Sequence, residues 1–459
     1  MRTGRVIVSV LFAVAALATG CSDSSEDAAA SPVLGQWHGD IEVPGQVIGI
    51  GVNFAEDGSA TIDIPVQGVT EAPLKDVLTE PDRVEFNVPD APGEPGFRGR
   101  LEGEQIAGDW VQFGEKLPVT LSRGPIEGME RPQDPTPPFP YSSEDVTYRN
   151  GDITIAGTLT TPEGDGPFPA MLLITGSGPQ DRNEEIMGHK PFQLLADTFT
   201  RAGYAVLRTD DRGVGGTSGT LDQATYPDLA DDAAAGVAFL RERPEIDPAR
   251  VGLFGHSEGG YLAPLIAARP DSNIAFAILM AGPSVPGADV LIEQNEVIMA
   301  SSGAPQEQID AQVRFVTEWT ALLRAGDTEG AKAYAQQHND SLPEAERTPQ
   351  SAVDSFSTPY MTSFVTYDPK PALEAMRIPV LAFFGGTDQQ VIATQNEGPM
   401  RENLAGAPDA TVHTFPGLNH MMQPSESGKP SEYVTIETTI DPSVLTYVTD
   451  WLTQRVPPS

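Results

Sequence analysis

From residue 146 onward, short apolar runs alternate with stretches whose apolar residues recur at helical spacing. This alternation leaves few architectures open. The runs at 146–149 and 153–161 predict an antiparallel pair of strands. Further apolar runs at 170–175, 205–209, 250–255 and 274–280 predict buried strands, and 191–202, 229–243 and 260–268 predict the helices among them. Strands separated by helices need crossover connections, so the expected fold is α/β, a mostly parallel sheet with helices on both faces. The pattern pauses at 284–373 and resumes with strands at 378–384 and 410–415 and a helix at 443–455. The interruption reads as a helical cap inserted into the sheet domain, which is expected to span 142–459.

Residues 33–124 carry a different pattern. Short alternating runs recur at 47–54, 60–64, 84–88, 97–101, 106–111 and 118–121, separated by turn signals such as Asp57-Gly58 and Gly103-Glu104. This predicts a small barrel or sandwich, taken as a β-barrel-like domain. Trp37 and Trp110 read most simply as barrel plugs; walls of a ligand-binding mouth are the alternative. Residues 125–141 hold six prolines, an extended and semi-rigid stretch taken as the linker between the two bodies.

The N-terminus reads as an address. Arg2 and Arg5 precede an apolar run at 6–18, which has signal-peptide length and is short for a membrane span. It ends in Leu17-Ala18-Thr19-Gly20-Cys21, which resembles a bacterial lipobox. On that reading 1–20 is a lipoprotein signal peptide and Cys21 is lipidated. Residues 21–32 form a tether, and the mature chain is extracytoplasmic and lipid-anchored to a bacterial membrane. An ordinary secretory signal is the alternative. Cys21 is the one cysteine in the chain, so no intramolecular disulfide or four-cysteine zinc site can form. Sixty-five acids against 28 bases give a formal charge of −37, which argues against a nucleic-acid partner.

The chemistry centres on Gly255-His256-Ser257-Glu258-Gly259. A G-x-S-x-G pattern alone says little, but this one lies between an apolar strand and a helix. There a tight turn pushes the serine hydroxyl out of the backbone, and the glycines let neighbouring segments approach. A serine nucleophile needs a base, and the base needs an orienting carboxylate, in the chain order Ser, acid, His. His420 follows the last strand and suits the base. His413 lies mid-strand, and His256 sits within the elbow, unable to turn its ring onto its neighbour. Asp388 follows the strand ending Phe383-Phe384-Gly385 and suits the acid. The oxyanion donors are expected to be the amides of Glu258 and Ser177, with Gly176 as runner-up for the second. No metal or organic cofactor is implied.

These motifs, with the loop Gly176-Ser177-Gly178-Pro179-Gln180-Asp181-Arg182 and the run Asp210-Asp211-Arg212-Gly213, resemble the α/β-hydrolase superfamily. Within it they look like bacterial serine esterases with a β-rich N-terminal domain. The resemblance implies Ser257 as nucleophile, His420 as base and Asp388 as orienting acid. Thr175 stands where related sequences often carry histidine, and Asp210, Asp211 and Arg212 read as a buried ion-pair brace. In the cap, Phe315, Trp319, Leu322 and Leu323 recur at helical spacing, and Tyr360, Met361 and Phe364 are expected to line an apolar acyl pocket. The expected activity is hydrolysis of short to medium acyl esters, with a small-molecule ester as the partner. A peptidase or amidase using the same triad is one alternative, and a surface binding protein with an inert hydrolase body is another.

Overall fold

The computed structural model describes residues 31–458 apart from 44–45, 66–68, 90, 92, 94, 113, 127–130 and 344–346. The leader, Cys21 and most of the expected tether lie outside the described residues. The last two tether positions already belong to the first domain: Ser31 Oγ donates to the Thr79 carbonyl at 2.6 Å, and Arg123 Nη2 donates to the Pro32 carbonyl at 2.6 Å.

Among the described residues, nine strands build that domain: β1 Gly35–Val43, β2 Gln46–Phe54, β3 Ala60–Ile64, β4 Val69–Pro73, β5 Lys75–Glu80, β6 Arg83–Asn87, β7 Gly96–Glu102, β8 Gln105–Gln112 and β9 Glu115–Arg123. They pair antiparallel in the order β4-β3-β2-β1-β9-β8-β7-β6-β5. The two edge strands are consecutive in the chain and joined by Leu74, so the sheet curls until its edges meet there in a near-barrel. Both edges are irregular: the ladder register shifts between Ile62 and Ile64 against β4, and between Lys75 and Leu78 in β5. Strands β4 and β5 were not legible as alternating runs, because their side chains are mostly exposed or half-buried.

Alternate residues of the other strands fill the interior. Trp37 is fully buried, as are Phe86 and Phe97, whose rings stack at 5.5 Å, and Trp110 is 4% exposed. The Trp37 indole N–H donates to the Val33 carbonyl at 2.7 Å. The tryptophans are therefore interior plugs and do not wall a ligand mouth. Trp37→Ala should cost about 3–5 kcal/mol of this domain's stability, read as a lowered midpoint in denaturant unfolding.

The second sheet contains β10 Tyr141–Asn150, β11 Ile153–Pro162, β12 Phe168–Ile174, β13 Ala205–Thr209, β14 Ile246–His256, β15 Ala277–Met280, β16 Val380–Gly385 and β17 Ala410–Phe415. Its order is β10-β11-β13-β12-β14-β15-β16-β17, antiparallel through β10, β11 and β13 and parallel beyond. Successive side chains of β12 point to opposite faces. Leu172 joins a core with Val237, Leu262 and Met400 from the helices Tyr226–Glu242, Gly259–Ala267 and Ala393–Asn403. Met171 and Leu173 join Phe192, Phe199 and Trp451 from Pro191–Arg201 and Pro442–Arg455. This is an α/β-hydrolase sheet covered on both faces.

Among the described residues, six helices lie between β15 and β16, from Gly287–Ser301 to Lys370–Ala375, in the place expected for the cap. Phe315, Val316, Trp319 and Leu323 form their own buried cluster there. No described helix is long and apolar enough to cross a membrane. The proline-rich stretch is fastened to the hydrolase body. Arg131 donates to the carbonyls of Met187 and Ile436, each at 2.7 Å, and Gln133 bonds Thr439 N at 2.6 Å and the Ile440 carbonyl at 2.8 Å.

Candidate active site

Strand β14 runs into the helix Gly259–Ala267 through a turn of two residues, Ser257 and Glu258. Ser257 occupies that turn at φ +51°, a left-handed conformation that costs an ordinary residue about 1–2 kcal/mol. The turn is held by Ser257 N donating to the Met280 carbonyl at 2.9 Å and by Gly260 N donating to the Ser257 carbonyl at 2.8 Å. A methyl group at Gly259 would overlap the Ile174 carbonyl, and one at Gly255 would overlap the Gly259 carbonyl. The flanking glycines are there because three backbone segments pass too close for a Cβ.

Strand β16 delivers Asp388 and β17 delivers His420. Asp388 Oδ1 accepts from Gln390 N at 2.7 Å and Val391 N at 3.0 Å, and Oδ2 accepts from His420 Nδ1 at 2.8 Å. Both side chains are buried. With Nδ1 donating to the carboxylate, Nε2 is left as the acceptor end of the ring. Asn419 shapes the loop, its Oδ1 accepting from Met421 N at 3.0 Å and Gln423 N at 2.9 Å. His413 stacks on Tyr447 with ring centroids 4.8 Å apart, away from the elbow.

His420 meets the elbow through His256. Their ring centroids are 4.8 Å apart, and His256 Nε2 donates to the His420 carbonyl at 3.3 Å. His256 Nδ1 pairs with Glu184 Oε1 at 2.8 Å. Burial alone would lower the His256 pKa, but the Glu184 carboxyl overrides it and holds the imidazole above its ordinary value. The Ser257 hydroxyl makes no hydrogen bond to the described residues. The structure thus brings Asp388 and His420 into contact and shows no hydrogen bond between His420 and Ser257 among the described residues. Such links commonly tighten only with substrate bound.

The loop after β12 lies beside the serine. An added Cβ on Gly176 would sit 3.4 Å from Ser257 Cβ. Gly176 N donates to Glu184 Oε1 at 2.6 Å, and Gly178 N donates to the Tyr360 hydroxyl at 2.9 Å. The amides of Ser177, between them, and of Glu258 donate to no acceptor among the described residues. Gly176, the runner-up donor, is already engaged.

Acidic side chains crowd beneath this loop. Glu258 is 4% exposed and accepts from the hydroxyls of Tyr226 and Tyr360, each at 2.7 Å. Burial pushes its carboxyl up to about 7 against the pull of those two bonds. Asp211 accepts from Thr175 Oγ1 at 2.8 Å and Gln180 N at 2.9 Å, and burial raises it too. Thr175 therefore ties the loop after β12 to the loop after β13. The expected brace is real but differently wired. Asp210 takes a bidentate pair from Arg182, with its closer contact at 2.7 Å, and Arg212 pairs with Asp232. Arg182 overcomes burial and holds Asp210 below the ordinary carboxylate range.

A cavity of about 60 Å³ beneath the loop is lined by Gly176, Gly178, Asp210, Asp211 and Glu258 but not by Ser257. It is far below the few hundred Å³ of a ligand pocket and cannot be the acyl site. Of the three expected pocket residues, Tyr360 spends its hydroxyl on Gly178 and Glu258. Phe364 packs edge-on against Tyr226 and Tyr261, and Met361 packs against the cap cluster. Glu184 and Tyr226 were missed. An acid in a polar loop and an aromatic at a helix start carry no local signal that they will converge on an elbow far along the chain.

A carboxyl whose folded value exceeds its ordinary 4.5 binds its proton more tightly when folded. The stability it contributes is complete below about 4.5 and is lost as pH rises through about 7. Glu258→Gln keeps the shape and removes the titration. Thermal melts should therefore show the wild type losing stability relative to that variant across this window. Parallel curves would rule out the buried proton.

A strained serine elbow, a buried acid–histidine pair on the next strands and a helical insertion over the sheet define an α/β-hydrolase. The sequence profile described as "Serine aminopeptidase, S33" matches residues 189–427, more than half of the chain, so the chain belongs to that family and is a hydrolase. It is 28% identical over 316 residues to the esterase EstD of Thermotoga maritima, covering 69% of this chain and 68% of that one. It is 25% identical over 231 residues to the uncharacterized protein YfhR of Escherichia coli K12, covering 44% of this chain and 78% of that one. Among solved structures it is similar to an esterase of Pyrococcus furiosus at 14% identity and a TM-score of 0.43, covering 72% of this chain and 99% of that one.

Proposed function

We propose that the protein is a carboxylic ester hydrolase acting on short to medium acyl esters through an acyl-enzyme. Ser257 attacks the carbonyl carbon, and His420 Nε2 takes the hydroxyl proton and returns it to the leaving alcohol. Asp388 keeps the ring in the tautomer that can do so. Water then repeats the sequence on the acyl-enzyme. The amides of Ser177 and Glu258 receive the oxyanion. The observation that carries this reading is the pair of unbonded amides on either side of a serine held in the left-handed region. The amides on either side of Ser177, those of Gly176 and Gly178, are tied, whereas the amides of Ser177 and Glu258 are open. Similarity to EstD, named as an esterase, supports the ester class.

Ser257→Ala should abolish ester turnover and labelling by a fluorophosphonate while leaving the melting temperature unchanged. Near-wild-type turnover in that variant would sink the assignment. Asp388→Asn should lower kcat by about 10⁴-fold and spare more activity than loss of the serine under forcing conditions. Ester and peptide substrates sharing one acyl group, assayed side by side, separate an esterase from an aminopeptidase.

The extracytoplasmic, lipid-anchored location belongs to the same proposal and rests on the 1–21 pattern. Cys21→Ser should move the protein from the membrane fraction to the soluble fraction of the expressing bacterium. Unchanged membrane partition would refute the anchor.

A further inference from the structure

Glycine flanks Ser177 on both sides, and Gly178 sits at φ +87°. Two glycines give the intervening peptide little steric guidance, so something else must set its direction. Side chains from outside the loop supply it. Glu184 holds Gly176 N on one side, and the Tyr360 hydroxyl holds Gly178 N on the other. Tyr360 comes from outside the sheet domain's own elements, although its ring packs into that domain's core. It lies in the cap helix Pro359–Thr366, whose start is capped by Thr358 Oγ1 accepting from Met361 N at 3.2 Å.

The hydroxyl cannot rotate freely. Its proton goes to Glu258 Oε2 at 2.7 Å, which turns an oxygen lone pair toward Gly178 N. Glu258 is itself steadied by Tyr226 on its other oxygen. One residue thus offers its amide on the serine's side and, through its carboxyl, orients the group that holds the opposite loop.

Resting on the esterase reading above, we propose that Tyr360 is a positioning residue. Its hydroxyl fixes the peptide at Gly178 and so aims the Ser177 amide at the oxyanion, making the cap a determinant of the chemical step. Tyr226 serves as the internal comparison. It donates to the same carboxyl at the same distance, is as deeply buried, and makes no hydrogen bond to the loop.

The test is steady-state kinetics on Tyr360→Phe and Tyr226→Phe in the full chain, with one p-nitrophenyl ester, alongside melting temperatures. Tyr360→Phe should lower kcat at least about tenfold with KM within about threefold, since a misaimed donor weakens only transition-state stabilisation. Tyr226→Phe should lower the melting temperature comparably yet cost kcat at least about threefold less than Tyr360→Phe, because it leaves the hydroxyl at Gly178 in place. Equal kcat losses in both variants, or a Tyr360→Phe defect confined to KM, would overturn the proposal. Should Tyr360→Phe fail to fold, 3,5-difluorotyrosine at position 360 keeps the hydroxyl and weakens it as an acceptor. An undiminished kcat there would be equally fatal. Fluorophosphonate labelling of the wild type separates the two readings. An unlabelled Ser257 removes the esterase itself, whereas a labelled and active enzyme indifferent to Tyr360→Phe removes only the positioning role.

Discussion

The close passage of three backbone segments at the elbow governs the rest of the site. Where β14 turns into its helix, the chain leaves room for hydrogen atoms but not for methyl groups at Gly255 and Gly259. That crowding is what keeps Ser257 in a backbone conformation it would otherwise avoid. It also fixes where the amide of Glu258 points and where His256 can go. His256 joins Glu184 to the carbonyl of His420. A single steric constraint therefore sets the left-handed Ser257, the open amide of Glu258 and the ring against which His420 lies.

Around this point the loops are joined by buried and half-buried charges, most of them in direct pairs. Arg182 clamps Asp210, Arg212 clamps Asp232, Glu184 bridges His256 and Gly176, and Thr175 caps Asp211. Removing one partner of such a set leaves the other uncompensated in a low-dielectric interior, which costs far more than the pair contributes. The arrangement favours one loop geometry over others and so suits a site whose donors must stay aimed between turnovers.

Most of the framework was readable in the residues because it depends on short-range rules. Apolar runs such as 170–175 must become covered strands, and the elbow glycines around Ser257 mark a strand-to-helix turn. Chain order then picked out Asp388 and His420, and the structure pairs them. What escaped was set by tertiary approach. Nothing local distinguishes Glu184 from its acidic neighbour Glu185, yet one is fully buried against His256 and the other is exposed. Tyr360 read as apolar lining because its ring is aromatic. Its hydroxyl found two polar partners from segments over a hundred residues away. Strands β4 and β5 escaped for a related reason: at the flank of a sheet, side chains need not alternate between oil and water.

Those two flanks bear on how the molecule behaves in company. Glu71 and Asp76 adopt left-handed backbone angles of +47° and +54° inside strands whose ladders are already out of step. A stray strand from another molecule would find its hydrogen-bonding partners interrupted there, and acidic side chains beside the gap. The first domain thus ends its sheet by chemistry as well as by curvature. A crowded layer of such molecules could remain individually dispersed even with every barrel flank turned toward its neighbours.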